Sequence, residues 1–153
     1  MSDACGARLP VSGDGNGWVI CDLGHRHWGR FGAAGILMTD GTRVVLQHRA
    51  PWTHEGDTWA LPGGARDSHE DPIAAALREA VEETTLDPTH VTPYHEWVDE
   101  HGGWSYTTVL ATVQASVDLE PANAESVAIR WWTVAEVADL PLHSGFAAAW
   151  PHL

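Results

Sequence analysis

Three glutamates, Glu79, Glu82 and Glu83, stand three and four residues apart in one stretch of the chain. If this stretch is helical, the spacing places the three carboxylates on one face. Like charges at that spacing destabilise a helix by about 0.2–0.5 kcal/mol per pair unless a positive charge lies among them. A hard divalent cation such as Mg²⁺ supplies that charge and also binds substrate phosphates. The alternative is a solvated acidic helix face, since runs of charge usually face water.

Helix-forming signals surround these glutamates. Asp71 followed by Pro72 predicts the start of a helix, with an N-cap acceptor and then proline at the first helical position. From there an apolar face is predicted at helical spacing, made of Ile73, Leu77, Ala80, Val81 and Thr84. The three carboxylates fall on another face of the same helix.

The stretch resembles the Nudix box, which reads Gly, five residues, Glu, seven residues, Arg-Glu, an aliphatic residue, any residue, Glu-Glu, any residue, Gly and an aliphatic residue. The matching residues, in order, are Gly64, Glu70, Arg78, Glu79, Ala80, Glu82, Glu83 and Leu86. Thr85 departs from the pattern, because it stands where the family has the glycine that ends the helix in a left-handed cap. We therefore expect a different helix exit. The segment 59–64, Trp-Ala-Leu-Pro-Gly-Gly, also resembles the approach to the box in this family.

The resemblance implies an α/β fold, the Nudix-type α/β/α sandwich with a mixed β-sheet. It implies Mg²⁺-dependent hydrolysis, with Mn²⁺ as an alternative ion, of a pyrophosphate bond in a nucleoside diphosphate linked to another group. Glu79, Glu82 and Glu83 would hold the metal, Glu70 would support the site and Arg78 would hold a box glutamate in place. The Gly63-Gly64 backbone would help to shape the site.

The general base and the substrate contacts are less constrained. The family often recruits a further carboxylate before a late strand that ends in tryptophan, and Glu125 stands in that place. The base is therefore a box glutamate or Glu125. Arg49 and Arg66 are candidate phosphate contacts, with surface exposure as the alternative for both. Trp52 and Trp104 are candidates for stacking a base, although packing is the commoner use of tryptophan.

Two functional hypotheses other than hydrolysis stay open. A Nudix domain can bind a nucleotide as a non-catalytic sensor, but such domains tend to lose box glutamates, all of which are present here. An isomerase of prenyl diphosphates shares the fold. Among substrates, oxidised nucleoside triphosphates, ADP-ribose and nucleotide sugars all fit the pattern.

Composition narrows the class of partner. The 153 residues carry 21 acidic side chains against eight basic ones, all arginine, for a net charge of -13. Such a charge argues against sequence-independent binding to nucleic acid. The resemblance implies a small nucleoside diphosphate derivative as the partner. The absence of lysine excludes a P-loop lysine or a Schiff base. No membrane span or signal peptide is evident, and a cytoplasmic location with a homodimer as the default assembly is expected.

The chain is predicted to hold one domain. Residues 1–17 are expected to form a flexible arm and residues 18–153 the Nudix domain. Strands are predicted at 33–38, 43–47, 59–61, 92–99, 106–116 and 127–132, with hairpin turns at Asp40-Gly41 and at residues 100–103. A capping box predicts a short helix after Thr133. For Cys5, Cys21, His25 and His27, free thiols with surface histidines are favoured over a zinc site, because the spacing is poor for a finger.

Overall fold

Strands outnumber helices among the described residues, and one long helix lies among them. The computed structural model describes residues 13–114 and 116–153. The strands are β1 (Trp18–Ile20), β2 (Arg26–Trp28), β3 (Ala33–Thr39), β4 (Arg43–Arg49), β5 (Trp59–Ala60), β6 (Gly63–Ala65), β7 (Val91–His101), β8 (Trp104–Val113) and β9 (Ser126–Thr133). The helices are α1 (Pro72–Glu83), α2 (Val134–Val137) and α3 (Ser144–Ala149), with 3₁₀ turns at Pro88–His90 and Trp150–His152.

Seven strands form one mixed sheet. Its path is β5-β4-β3-β8-β7, while β6 pairs with β3 and β9 pairs with β4. Strand β3 runs parallel to β8, and the other pairings are antiparallel. Strands β1 and β2 form a separate two-stranded sheet. The sequence did not predict β1, β2 or β6, which have only three residues each.

Both faces of the main sheet are covered. Along β3, Ile36 and Met38 point to the face that packs on α1, and Leu37 points to the opposite face. The second face packs against α2 and α3 through Val137 and Phe146. Side chains alternate across a strand, so a strand buried on both sides is apolar at every position. The α/β/α sandwich is confirmed.

The predicted hairpin turns are present. At the first, the Asp40 carboxylate accepts hydrogen bonds from the Thr42 and Arg43 N–H groups, at 3.0 and 2.8 Å. At the second, Gly102 and Gly103 join β7 directly to β8 with φ of 59° and 88°. Positive φ at both positions is the backbone of a two-residue hairpin turn, which glycine adopts without strain.

Helix α1 begins where the sequence predicts. Asp71 caps it by accepting a hydrogen bond from the Ala74 N–H at 2.7 Å, and Pro72 is its first residue. The predicted apolar face is wrong at Val81, which is 41% exposed, whereas Glu83 is buried. The buried stripe runs through Ala76, Ala80 and Glu83, and Val81 lies a third of a turn away from it.

The exit of α1 differs from a glycine cap, as predicted from Thr85. The C-cap residue Thr84 is extended, at φ -131° and ψ 177°. The Thr85 N–H then donates to the Glu120 carbonyl, and the Glu120 N–H donates to the Thr85 hydroxyl oxygen, each at 3.1 Å. The Ala122 N–H also donates to the Glu83 carbonyl at 3.0 Å. Strand-like pairing with residues 120–122 therefore satisfies the end of the helix where a left-handed residue would otherwise do so.

The start of the described chain lies against the box loop. The Gly13 and Gly15 N–H groups donate to the Asp67 carboxylate at 2.9 and 3.0 Å, and Asp14 bonds to Ser68. Residues 13–17 of the predicted arm are thus held against the domain, while Cys5 lies outside the described residues. Within the described part of the chain, no helix is both long and apolar enough to cross a membrane.

Candidate active site

Arg78 and Glu70 form the central ion pair of the box. The arginine donates from Nε to Glu70 Oε2 at 2.7 Å and from Nη2 to Glu70 Oε1 at 2.9 Å. Glu70 is buried, which by itself would raise its pKa, but the hydrogen bonds from Arg78 and from the Asp67 N–H hold that pKa below its ordinary value. The same pair raises the pKa of Arg78. A paired, bidentate contact of this kind fixes the orientation of both side chains.

Arg78 also connects the helix to the loop and to the other glutamates. Its Nη2 donates to the Ala65 carbonyl at 2.9 Å, and its Nη1 contacts Glu79 at 3.0 Å and Glu82 at 3.3 Å. This one cation is therefore shared among Glu70, Glu79 and Glu82, with Asp67 as a fourth carboxylate at 3.7 Å. It relieves part of the repulsion that the sequence predicts for this helix face.

Glu79 and Glu83 face each other beside strand β6. Glu83 accepts a hydrogen bond from the Gly63 N–H at 3.3 Å. Burial and the neighbouring Glu79 charge raise the pKa of Glu83 to about 9, and burial raises the pKa of Glu79 as well. Two adjacent carboxyls in a poorly solvated place cannot both ionise without a compensating positive charge. Glu82 differs from them, because its carboxylate is 53% exposed and turned towards Arg78.

Gly64 allows the loop to approach the helix closely. A Cβ atom at this position would lie 2.5 Å from Glu79 Oε2, which is closer than any real contact. Any other residue at position 64 would therefore displace the Glu79 carboxylate from its place beside the loop.

Glu125 lies near the glutamate pair. It is exposed, directly before β9, and its charge contributes to the raised pKa of Glu83. Its backbone is fixed on both sides, since its N–H donates to Asn123 Oδ1 and its carbonyl accepts from the Ala50 N–H, each at 2.9 Å. The carboxylate predicted from the position before the late strand is therefore brought to the same edge of the molecule as the box.

Two candidate substrate contacts, Arg49 at the end of β4 and Trp52 in the loop that follows, differ in their surroundings. Arg49 donates from Nε to the His54 carbonyl at 2.9 Å, and its charge acts on Tyr106 and His143. Trp52 is 71% exposed, with its indole free to meet a ligand.

Arg66 and Trp104 line another feature, a surface pocket of about 420 Å³ between β1 and the start of β8. Arg66 donates to the Phe31 and Glu70 carbonyls. One face of Trp104 stacks on His27, with ring centroids 4.1 Å apart, and its Nε1 donates to the Gly29 carbonyl. For Trp104 the structure favours the packing alternative, because that face is not available to a base.

Two residues near the box escaped the sequence prediction. Asp67 is almost fully buried and lies 3.7 Å from Arg78, so it joins the start of the described chain to the ion pair. The hydroxyl of Tyr106 reaches the backbone of Gly35 and Gly63. Desolvation and the charges of the glutamate pair raise the pKa of Tyr106. Neither residue belongs to a spaced motif that the sequence alone could single out.

Known proteins resemble this chain over most of its length. Residues 29–152 match the model of the NUDIX domain family. The chain is 52% identical over 155 residues to a Mycobacterium tuberculosis protein named "Putative 8-oxo-dGTP diphosphatase 3", covering 94% of this chain and 70% of that one. It is 40% identical over 146 residues to a Bifidobacterium longum nucleoside triphosphate pyrophosphatase/Nudix hydrolase fusion protein, covering 90% of this chain and 30% of that one.

A solved structure extends the similarity to three dimensions. The crystal structure of a Nudix hydrolase from M. smegmatis, RenU, superimposes with a TM-score of 0.81 at 49% identity. The match covers 90% of this chain and 92% of the other.

Proposed function

The chain belongs to the Nudix hydrolase family as a nucleotide pyrophosphohydrolase, and we propose that it hydrolyses an oxidised guanine nucleoside triphosphate of the 8-oxo-dGTP type with Mg²⁺ as its metal. The relative at 52% identity supports the substrate class, because its name specifies 8-oxo-dGTP and the match covers 94% of the chain. Members of the family generally use divalent metals, which supports the metal requirement.

One geometric observation carries the proposal. Glu79 and Glu83 face each other beside the Gly63 backbone, on a helix that the Arg78–Glu70 pair locks to the box loop. Carboxylate oxygens are the donors that Mg²⁺ prefers, and a divalent ion supplies the charge that this pair lacks. The residues present therefore fit the ion.

Glu79, Glu82 and Glu83 would hold the metal, with Mn²⁺ as an alternative ion. When bound, the ion neutralises charge on the substrate phosphates and lowers the pKa of a coordinated water. The chain's own groups do the rest. Arg78 keeps the glutamates in register, and Glu125, whose charge acts on Glu83, is the proposed acceptor of the proton that the attacking water gives up. A box glutamate remains the alternative base.

Arg49 is the proposed phosphate contact, because its charge acts on the residues around the glutamate pair and an arginine binds phosphate oxygens in pairs. Trp52 is the proposed stacking surface for the base, since its indole is exposed in the loop that follows Arg49. Arg66 is a weaker candidate, because backbone carbonyls already occupy its guanidinium.

A turnover panel tests the proposal. The untagged protein is assayed with Mg²⁺ on 8-oxo-dGTP, dGTP, ADP-ribose, nucleotide sugars and dinucleoside polyphosphates, and products are identified by mass. We expect 8-oxo-dGTP to have the highest kcat/KM and to give 8-oxo-dGMP and pyrophosphate. Reaction in isotope-labelled water shows which phosphorus is attacked.

Two variants test the metal assignment. Glu82→Gln should keep the fold and lose at least about 100-fold in turnover, since even supporting groups of a metal site contribute about 10- to 100-fold. Asp139→Asn is the matched control, because Asp139 is an exposed carboxylate after α2 on the opposite face of the sheet. If Glu82→Gln turned over as fast as wild type, the metal assignment would be wrong. Tight nucleotide binding without turnover of any substrate would favour the sensor function.

A further inference from the structure

A second group of metal-binding side chains lies away from α1, where the β1–β2 hairpin meets the tip of the β7–β8 hairpin. Its members are Cys21, His25, His27 and His101, which we call the Cys-His cluster. One donor atom from each of the four lies within 4.8 Å of the other three. Cys21 is a buried free thiol. The prediction of surface histidines is wrong for His27, which is partly buried beneath Trp104.

The donors converge closely enough for one small ion. The ring centroids of His27 and His101 are 4.9 Å apart, and those of His25 and His101 are 5.4 Å apart. In tetrahedral zinc sites with Zn–N near 2.0–2.1 Å and Zn–S near 2.3 Å, neighbouring donors are about 3.3–3.6 Å apart. Small side-chain rotations would bring the four donors to that separation.

Two ring nitrogens in the cluster have no partner. His27 Nε2 and His101 Nδ1 are both inaccessible to solvent and make no hydrogen bond within the described residues. Buried polar atoms are nearly always paired, so each orphaned nitrogen needs an explanation. A metal ion bound through these two nitrogens would supply the missing partner for both at once.

The surroundings hold the cluster in place. Trp104 stacks on His27 at an interplanar angle of 7° and is itself fixed by its 2.9 Å hydrogen bond to the Gly29 carbonyl. The Asp22 N–H donates to the Gly102 carbonyl at 2.6 Å, which ties the turn after Cys21 to the other hairpin. The β1–β2 sheet has only two strands and is not part of the main sheet. Isolated two-stranded hairpins are marginally stable, so this one depends on such attachments.

We propose that Cys21, His25, His27 and His101 bind one Zn²⁺ ion in a structural site that fastens the β1–β2 hairpin to the β7–β8 hairpin. One thiolate and three imidazoles are donors that zinc prefers, and four protein ligands leave no open position for a substrate. On binding, the Cys21 thiol releases its proton to solvent as the Zn–S bond forms. The three histidines bind as neutral imidazoles, and no oxidation state changes.

The first test uses the untagged full chain purified from zinc-replete cells. We expect one zinc per chain by elemental analysis, retained in excess Mg²⁺, which occupies the carboxylate site. Replacing the zinc by Co²⁺ should give the absorption of a tetrahedral, thiolate-bound ion. Absence of both the bound zinc and the thiolate–cobalt band would overturn the proposal without affecting the proposed hydrolase activity, which depends on the carboxylate site.

Variants then assign the ligands. Cys21→Ser should abolish the thiolate–cobalt band, and loss of that band in Cys5→Ser instead would overturn the assignment of Cys21. His101→Gln should weaken zinc binding by more than the roughly 10- to 100-fold loss typical of supporting groups. The matched control is His95→Gln, an exposed histidine on the same strand β7. Equal zinc affinity in His101→Gln and His95→Gln would contradict the site. If His101→Gln does not fold, Zn²⁺ competition against a chromophoric chelator in wild type decides. A zinc affinity no higher than that of the carboxylate site would overturn the proposal.

Discussion

The carboxylate site on α1 and the Cys-His cluster are built from opposite kinds of donor. The first offers oxygen atoms around one arginine, with Glu82 and Glu125 open to solvent. The second offers three nitrogens and one sulfur at the junction of two hairpins. An open oxygen site suits a hard ion that must also bind a substrate, and a closed nitrogen–sulfur site suits an ion that only holds strands together. The difference predicts that damage to one site leaves the other intact.

The largest expected effect is on turnover in Glu83→Gln. We expect activity to fall by at least about 100-fold, because the variant lacks a proposed ligand. Stability should be unchanged or higher, since burial already disfavours the ionised form of Glu83 and the amide is neutral. Steady-state kinetics and thermal melts of the same preparation measure both, with Asp139→Asn as control. The comparison fails if the variant also loses the zinc of the Cys-His cluster.

Arg78→Lys should have the next largest effect. Lysine keeps the charge but cannot reproduce the paired contacts with Glu70 and the bond to the Ala65 carbonyl. We expect about a 10- to 100-fold loss of kcat, the range seen when supporting groups of a metal site are removed. The control is Arg130→Lys, on the exposed side of β9. Equal activity of the two variants would mean that the ion pair does not position the glutamates.

The carboxylate site could be predicted from the sequence because it is local. Apart from Glu125, its carboxylates lie between Gly64 and Leu86, so the spacing of a loop and one helix brings them together. The same spacing predicted the Asp71 cap and the altered exit at Thr85, both confirmed. It could not show that Glu82 turns towards Arg78, since side-chain direction depends on neighbours outside the motif.

The Cys-His cluster could not be predicted in the same way. His25 and His27 are close in sequence to Cys21, but the fourth donor, His101, comes from the end of a distant strand. Its position depends on how β7 and β8 pair and on how the β1–β2 hairpin packs against the turn between β7 and β8. The sequence showed the hairpin turn after His101 without showing what it would contact.

His101→Gln should separate the two sites from the other direction. We expect zinc loss and a lower melting temperature, with kcat in saturating Mg²⁺ unchanged. A loss of 1 kcal/mol shifts the melting temperature of a chain of this size by about 2–4 °C, so the effect is readily measured. His95→Gln should melt like wild type. A fall in kcat as large as that of Glu83→Gln would show that the two sites are not independent.

The smallest expected effect is a difference in pH dependence between the two sites. Burial and Glu79 raise the pKa of Glu83 to about 9 from an ordinary 4.5. A carboxyl whose folded-state pKa is raised stabilises the fold fully below pH 4.5. That stabilisation is lost as the pH rises towards 9, because the unfolded chain has already released the proton. The metal-free protein should therefore melt at a lower temperature at pH 8.5 than at pH 6 through this group, and Glu83→Gln should reduce the difference.

The two sites should differ in the pH range over which their metal affinity changes, alkaline for Mg²⁺ and acid for zinc. Mg²⁺ competes with the proton on Glu83, so its affinity should keep rising with pH towards 9, with protons released on binding. Zinc should instead be lost on the acid side, because protons compete with the metal for the imidazole and thiolate ligands. Calorimetric Mg²⁺ titrations in buffers of different ionisation enthalpy count the protons, and chelator competition measures zinc retention. Equal proton release in Glu83→Gln and in wild type would show that Mg²⁺ does not displace the Glu83 proton. Of the two paired glutamates, only Glu79 would then be a ligand of the ion.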